Sequence, residues 1–124
     1  MAFTWKGDGK IVTVVVPTSK TATAGYLAEM TDDYTARDNE TVSSATTLGV
    51  FVTTGVAGDY VAVLNSGVVT LTAGSAGTTA GTTVVVDNAA AQKVEDGSAA
   101  GTVLGRALTS SIADADTDIL LGHC

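Results

Sequence analysis

The strongest constraint on this 124-residue chain is that it repeats itself. Thr23-Ala24-Gly25 recurs as Thr79-Ala80-Gly81, and Thr46-x-Leu48-Gly49 recurs as Thr102-x-Leu104-Gly105. Thr53 returns as Thr109 and Ala57 as Ala113, so that all eight identities share one offset of 56 residues. Conservative pairs stand at the same offset: Arg37/Lys93, Glu40/Asp96, Thr54/Ser110 and Val56/Ile112. A period of this length implies one supersecondary unit made twice, each copy burying its apolar face on its neighbour. A one-residue shift near the end, aligning Leu64 with Leu121, completes the alignment. The units run over about 22–64 and 78–121. Residues 1–18 read as an N-terminal arm with a first strand, and 19–124 as a single domain.

The unit is made of strands. Val and Ile (20) outnumber Leu (8), and Thr, at 21, is the commonest residue. β-Branched side chains lose rotamer freedom in a helix and pack well on a pleated surface. Lys10–Val16 is a β-branched run stopped by Pro17, which cannot donate to a ladder. Leu48–Thr54, Tyr60–Leu64 and Val68–Thr72 are further strands, the last two flanking Asn65-Ser66-Gly67 as a three-residue hairpin loop. Val61 and Val63 share one face, with Tyr60, Ala62 and Leu64 on the other. In the second unit Thr82–Asp87, Gln92–Glu95, Val103–Thr109 and Thr117–Leu121 are strands. Gly74–Gly81 reads as a flexible connection, and Asp32–Ser44 as a long acidic loop with room for a single helical turn. Many short strands with Gly-rich turns predict a mainly β fold, a small barrel or sandwich with little helix.

Charge narrows the partners. The formal net charge is −7, which disfavours nucleic acid as a ligand of the body. It is unevenly placed: residues 1–20 carry a net +2 and residues 21–124 a net −9. A basic arm on an acidic body suggests that the arm docks where the body would not. No apolar run approaches the roughly 20 residues of a membrane helix, and the first residues lack the apolar core of a secretory leader. The lone Cys124 permits no intrachain disulfide. These features predict a chain made in a reducing compartment, with no membrane partner, and the sequon Asn39-Glu40-Thr41 reads as chance.

Catalytic chemistry is thin. The one His, His123, adjoins the terminal Cys124, a poor place to build a nucleophile and base. Gly7-Asp8-Gly9-Lys10 lacks the remaining residues of a phosphate loop, having Thr4 and Ile11 at the key positions, and reads as a tight turn into the first strand. Asp114-x-Asp116-x-Asp118 opens like a calcium loop but has Ile119 where Gly belongs. It reads as an acidic turn leading into the last strand, its charges keeping an edge soluble. The expectation is a non-enzyme with no cofactor and no metal. Phe3 and Trp5 precede any strand; they serve either as core anchors or as partner contacts of the kind aromatic residues make at interfaces.

The runs Leu48-Gly49-Val50, Ala57-Gly58-Asp59-Tyr60-Val61-Ala62-Val63 and Gly67-Val68-Val69 resemble the capsid decoration, or cement, proteins of tailed bacteriophages. So do Ala80-Gly81-Thr82-Thr83-Val84, Lys93-Val94, Val103-Leu104-Gly105-Arg106-Ala107 and Ile119-Leu120-Leu121. The resemblance covers about residues 20–122 and departs from the pattern where Asp114-Ala115-Asp116 replaces Gly58-Asp59. It implies a small β-barrel or β-tulip-like domain without catalysis, a homotrimer on the outer surface of the virion. Its role would be to stabilise the capsid by clamping neighbouring major capsid subunits. In that reading the N-terminal arm adds a strand to a capsid subunit, with Phe3 and Trp5 as anchors and Lys6 and Lys10 as pairing charges. The rival class is a carbohydrate-binding β-sandwich module of a phage fibre or surface protein. It would have to draw its stacking residues from Tyr26, Tyr34, Phe51 and Tyr60.

Overall fold

The computed structural model describes residues 5–99 and 102–122, with side chains of the first strand described from Lys10 onward. It contains eleven strands: β1 (Trp5–Val15), β2 (Thr21–Ala22), β3 (Leu27–Asp32), β4 (Thr35–Asp38), β5 (Thr47–Phe51), β6 (Gly55–Val56), β7 (Tyr60–Ala73), β8 (Thr83–Val86), β9 (Lys93–Asp96), β10 (Gly105–Ala107) and β11 (Asp116–Leu121). No helix occurs among the described residues. Nine strands form one mixed sheet in the order β1-β4-β3-β5-β7-β11-β10-β8-β9, and β2 pairs with β6. Strand β7 pairs additionally with β1 and with β9. The result is the small all-β domain expected, arranged as two partial rings that share β7.

The two rings are the two units. The first contains β1, β4, β3, β5 and the beginning of β7; the second contains the end of β7, β9, β8, β10 and β11. Each is antiparallel except for one short parallel pairing, Val15 opposite Thr35 in the first and Thr72 opposite Lys93 in the second. Ala28 faces Gly49 as Val84 faces Gly105, and Val50 faces Leu64 as Arg106 faces Leu120. The 56-residue offset therefore runs through the last strand, and Leu64 corresponds to Leu120 rather than to Leu121. The irregularities lie elsewhere. One extra residue separates the two opening strands, since Val15 faces Tyr60 and Thr72 faces Asp116. Two more lie between β8 and β9, since Asp38 faces Ala28 and Asp96 faces Val84. Asp38 and Asp96 are thus equivalent, and the pairs Arg37/Lys93 and Glu40/Asp96 are not.

Several of the repeated polar and glycine residues hold the same backbone twice. Asp38 Oδ1 accepts the Thr23 N–H at 2.8 Å, and Asp96 Oδ1 accepts the Thr79 N–H at 3.0 Å. The Thr53 hydroxyl accepts the Ala62 N–H as Thr109 accepts that of Asp118, both at 3.0 Å. The Ala24 N–H donates to Thr54 at 3.1 Å, and that of Ala80 to Ser110 at 2.9 Å. Gly58 and Asp114 occupy one left-handed turn position, with φ of 89° and 63°; Asp tolerates that region better than most side chains. The departure at Asp114 leaves the turn unchanged.

Three local expectations are overturned. Asn65-Ser66-Gly67 is not a hairpin loop but the middle of β7, which runs unbroken for 14 residues. The flanking runs do not pair with each other because each finds a longer partner: Ile11–Val15 for Tyr60–Leu64, and Asp116–Leu121 for Gly67–Thr72. Gly67, at φ 127°, lets the strand pass from one ring to the other. Asp32–Ser44 is not a loop with a helical turn, since Leu27–Asp32 and Thr35–Asp38 are paired strands joined at Asp33-Tyr34. The Gly74–Gly81 connection is tied down at its centre, where Thr78 exchanges backbone hydrogen bonds with Ser111 at 2.9 and 3.0 Å. Strand β1 begins at Trp5, earlier than the Lys10 start read from the sequence.

Burial follows the rings. Val14, Val16, Ala28, Ala36, Phe51, Val61 and Val63 fill the first. Val69, Leu71, Val84, Val86, Val94, Ala107 and Ile119 fill the second, joined by Leu27, Val50 and Leu64 from the back of the first unit. Strands β3 and β5 and the start of β7 are therefore buried on both faces, so Leu27-Ala28 and Val50-Phe51 are fully buried in succession.

Candidate binding surface

Of the sequence-predicted contact residues, Phe3 lies outside the described residues, as do His123 and Cys124. The backbones of Trp5 and Lys6 pair with Val69 and Val68, and that of Lys10 with Ser66. Lys10 is exposed. Gly7-Asp8-Gly9-Lys10 is not a turn before the first strand. It lies within β1 at a register shift between Lys6 and Lys10, where the extra residues let the strand follow the bent β7. On its other edge, β1 has one pairing among the described residues, at Val15, whose N–H donates to the Tyr34 carbonyl at 2.8 Å. The open stretch of that edge borders a cavity.

This cavity, about 310 Å³ in volume, is the mouth of the first ring. Val12, Val14, Met30 and Leu48 form its floor, and Asp32, Asp33 and Tyr34 its rim. Alternation along β1 and β3 turns the apolar side chains inward. The tight β3–β4 turn, with Tyr34 at φ 48°, lifts the Tyr34 ring into solvent at 73% exposure. Among the described residues no basic side chain lines the mouth. Its chemistry, an apolar floor beneath two carboxylates, suits an apolar segment carrying a positive charge.

On the far side of β3 and β4 lies an ion network. Arg37 donates to Glu29 Oε1 at 3.0 Å and pairs with Glu40 at 2.6 Å, and Glu40 meets Lys20 at 3.3 Å. Burial of Glu29 pushes its carboxyl up. Hydrogen bonds from Thr41, the Glu40 N–H and Thr46, together with the Arg37 charge, outweigh that and hold it below the usual carboxylate range. Glu95 is shifted the other way, by burial first and then by its hydrogen bond to Asp87 and the Asp87 charge.

Asn39 is a residue whose importance the sequence did not signal. It is buried, accepts from the Thr47 hydroxyl at 3.1 Å, and donates to the Thr41 and Ala91 carbonyls at 3.0 and 2.6 Å. Beside it the Gln92 amide binds both the N–H and the carbonyl of Leu27, and the Asn39 carbonyl. The β8–β9 loop thus clasps the back of the first unit. Only its two-residue excess over the β3–β4 connection hinted at this.

The remaining acidic motif divides between a turn and a strand, as expected. Asp114 forms the turn and pairs with Lys93, while Asp116 and Asp118 lie on β11 opposite Thr72 and Thr70. Strand β11 lies between β7 and β10, so its charges guard no sheet edge. Among the described residues, no group of three or more His, Cys, Asp and Glu side chains is arranged to hold a metal. The aromatics are dispersed: Phe51 is fully buried, whereas Tyr34 and Tyr60 are largely exposed.

The geometry defines a class of protein: a small all-β domain built from a duplicated strand unit, with one ring stoppered and the other open. The sequence matches no protein-family model and no curated protein.

Proposed function

We propose that this chain is a structural virion protein that binds the outer surface of a tailed-phage head as a homotrimer. There it stabilises the shell by clamping neighbouring major capsid subunits. The observation that carries this reading is the edge of β1, which from Trp5 to Val14 has no partner on one side among the described residues. A capsid segment adding there would gain a ladder of main-chain hydrogen bonds, with flanking side chains giving specificity. Trp5, Lys6 and Lys10 lie on that strand, with Phe3 just before it. The contrast between a basic start and an acidic body orients the contact. The positions that carry the family resemblance, among them Gly49, Gly81 and Gly105, are those that set the turns and strand crossings, so the resemblance speaks first to the scaffold.

The test is the copy number of this protein on purified particles, relative to the major capsid protein. It is paired with binding of Trp5→Ala/Lys10→Glu, which keeps the β1 backbone, and of a chain lacking residues 2–9. The expected results are a ratio near one to one and loss of binding in both variants, with the point variant retaining the wild-type circular dichroism spectrum. Absence from particles, or undiminished binding by the point variant, overturns the reading.

A further inference from the structure

The duplication supplies a template for an interface. On the back of the first unit, Leu27, Val50 and Leu64 lie side by side across β3, β5 and β7. They are fully buried because they close the mouth of the second ring, in one cluster with Val69, Val86 and Leu104. The register gives the counterparts of both surfaces. Those of Val69, Val86 and Leu104 in the first ring are Val12, Met30 and Leu48, the floor of the open mouth. The counterparts of Leu27, Val50 and Leu64 are Thr83, Arg106 and Leu120 on the back of the second unit. Each chain therefore makes this contact once internally and carries its two halves, unused, at opposite ends.

The connecting loops show the same asymmetry. The β8–β9 loop grips the back of the first unit through Gln92, the Ala91 carbonyl and the Asp87 carbonyl, which accepts the Ser43 N–H at 3.2 Å. Its counterpart, the Asp33-Tyr34 turn between β3 and β4, stands exposed at the rim of the open mouth. Two substitutions make the back surface more polar: Leu27 to Thr83, and Val50 to Arg106, an exposed cation whose guanidinium donates to the Gly81 carbonyl at 2.9 Å. The mouth it would face differs in the complementary sense, with Asp32 and Asp33 on its rim.

We propose that copies of this chain associate head to tail: the back of one copy's second unit, centred on Arg106 and Leu120, seats on the mouth of the next copy's first ring. Arg106 meets Asp32 and Asp33, Leu120 covers Met30 and Leu48, and Tyr34 closes over the seam. Such a heterologous contact closes into a ring if its rotation permits and otherwise grows as a chain. It specifies one interface for the self-association in the proposed function, and an oligomer indifferent to both variants overturns this interface while leaving that reading standing.

The experiment is sedimentation velocity over a concentration series, on the wild type, Arg106→Glu, and Asp32→Lys/Asp33→Lys. Wild type is expected to form assemblies larger than the monomer. Each variant should weaken association at least about tenfold through like-charge contact, and all three substitutions in one chain should restore it. In an equimolar mixture the back of each variant is charge-matched to the mouth of the other, so the mixture is expected to associate as the triple variant does while each variant alone does not. Unchanged denaturation midpoints separate loss of contact from loss of fold. A wild type that stays monomeric at 100 micromolar (roughly −5 kcal/mol of association), or assembly indifferent to both variants, overturns the proposal.

Discussion

Replacing Gly49 by Ala tests the duplicated architecture at its tightest point. A Cβ on Gly49 would collide with the Leu64 carbonyl oxygen, and would stand 2.9 Å from the Leu64 carbonyl carbon and 3.0 Å from Asn65 Cα. All three atoms belong to the β7 backbone, so no rotamer change relieves the clash. Strand β5 would have to move outward by about 1 Å, an overpacking cost of roughly 1–3 kcal/mol. The move would also loosen the ladder where Val50 faces Leu64 and Phe51 faces Val63, at about 1 kcal/mol per hydrogen bond. The expected loss is about 3–5 kcal/mol, a large share of the roughly 6–18 kcal/mol available to a domain of this size. Urea denaturation followed by circular dichroism should show the midpoint falling by about 2 M, for a slope near 2 kcal/mol/M. Gly105→Ala should lose a similar amount, since its Cβ would meet the Leu120 carbonyl in the same way. Gly58→Ala is the control. Its φ is +89° with nothing within 4 Å, so it bears only the left-handed backbone cost of about 1–2 kcal/mol. If Gly49→Ala costs no more than Gly58→Ala, the steric reasoning fails; if Gly49 and Gly105 differ widely, the equivalence of the two rings fails.

Two further substitutions probe the polar ties. Glu29 has its carboxyl held below the ordinary value of 4.5, so its contribution is present above that pH and is lost as pH falls through the lowered folded value. Glu29→Gln should therefore cost about 2 kcal/mol near pH 7, and the gap to wild type should close on acidification, as read from urea midpoints across pH 2–7; a gap independent of pH contradicts this. Gln92→Ala removes three of the hydrogen bonds that join the β8–β9 loop to Leu27 and Asn39 and leaves the one from Asn39 to the Ala91 carbonyl. It should cost about 2–3 kcal/mol and speed amide exchange at Leu27. Unaltered exchange there would mean that the loop is not a clasp.

Much of the second unit was legible in the sequence. Its strands are β-branched runs such as Thr83–Val86, and the intrinsic preference of Val and Thr for a pleated surface agrees with their tertiary setting. Their first-unit counterparts were not legible: Leu27-Ala28-Glu29-Met30 and Thr35-Ala36-Arg37-Asp38 carry little β-branching. They are strands because neighbours on both sides supply the ladder and because Leu27, Ala28 and Ala36 are buried between them. The open mouth was hidden for a related reason. Val12, Met30 and Leu48 are ordinary apolar side chains, and nothing local distinguishes a mouth that is covered from one that is not.

The sequence alone determined that one β unit is used twice, that Gly49 and Gly105 hold equivalent positions in it, and that the start of the chain is basic where the body is acidic. Those are properties of residue type and spacing, which act over a few neighbours or sum over the whole chain. Only the tertiary structure decided that Asn65-Ser66-Gly67 continues a strand, that β7 belongs to both rings, and that the back of one unit stoppers the other. Alternation tells each strand which face to bury but not which strand to pair with. That choice rests on contacts between residues far apart in sequence, such as Val12 with Val63 and Val68 with Leu120, whose advantage appears only once both partners are in place.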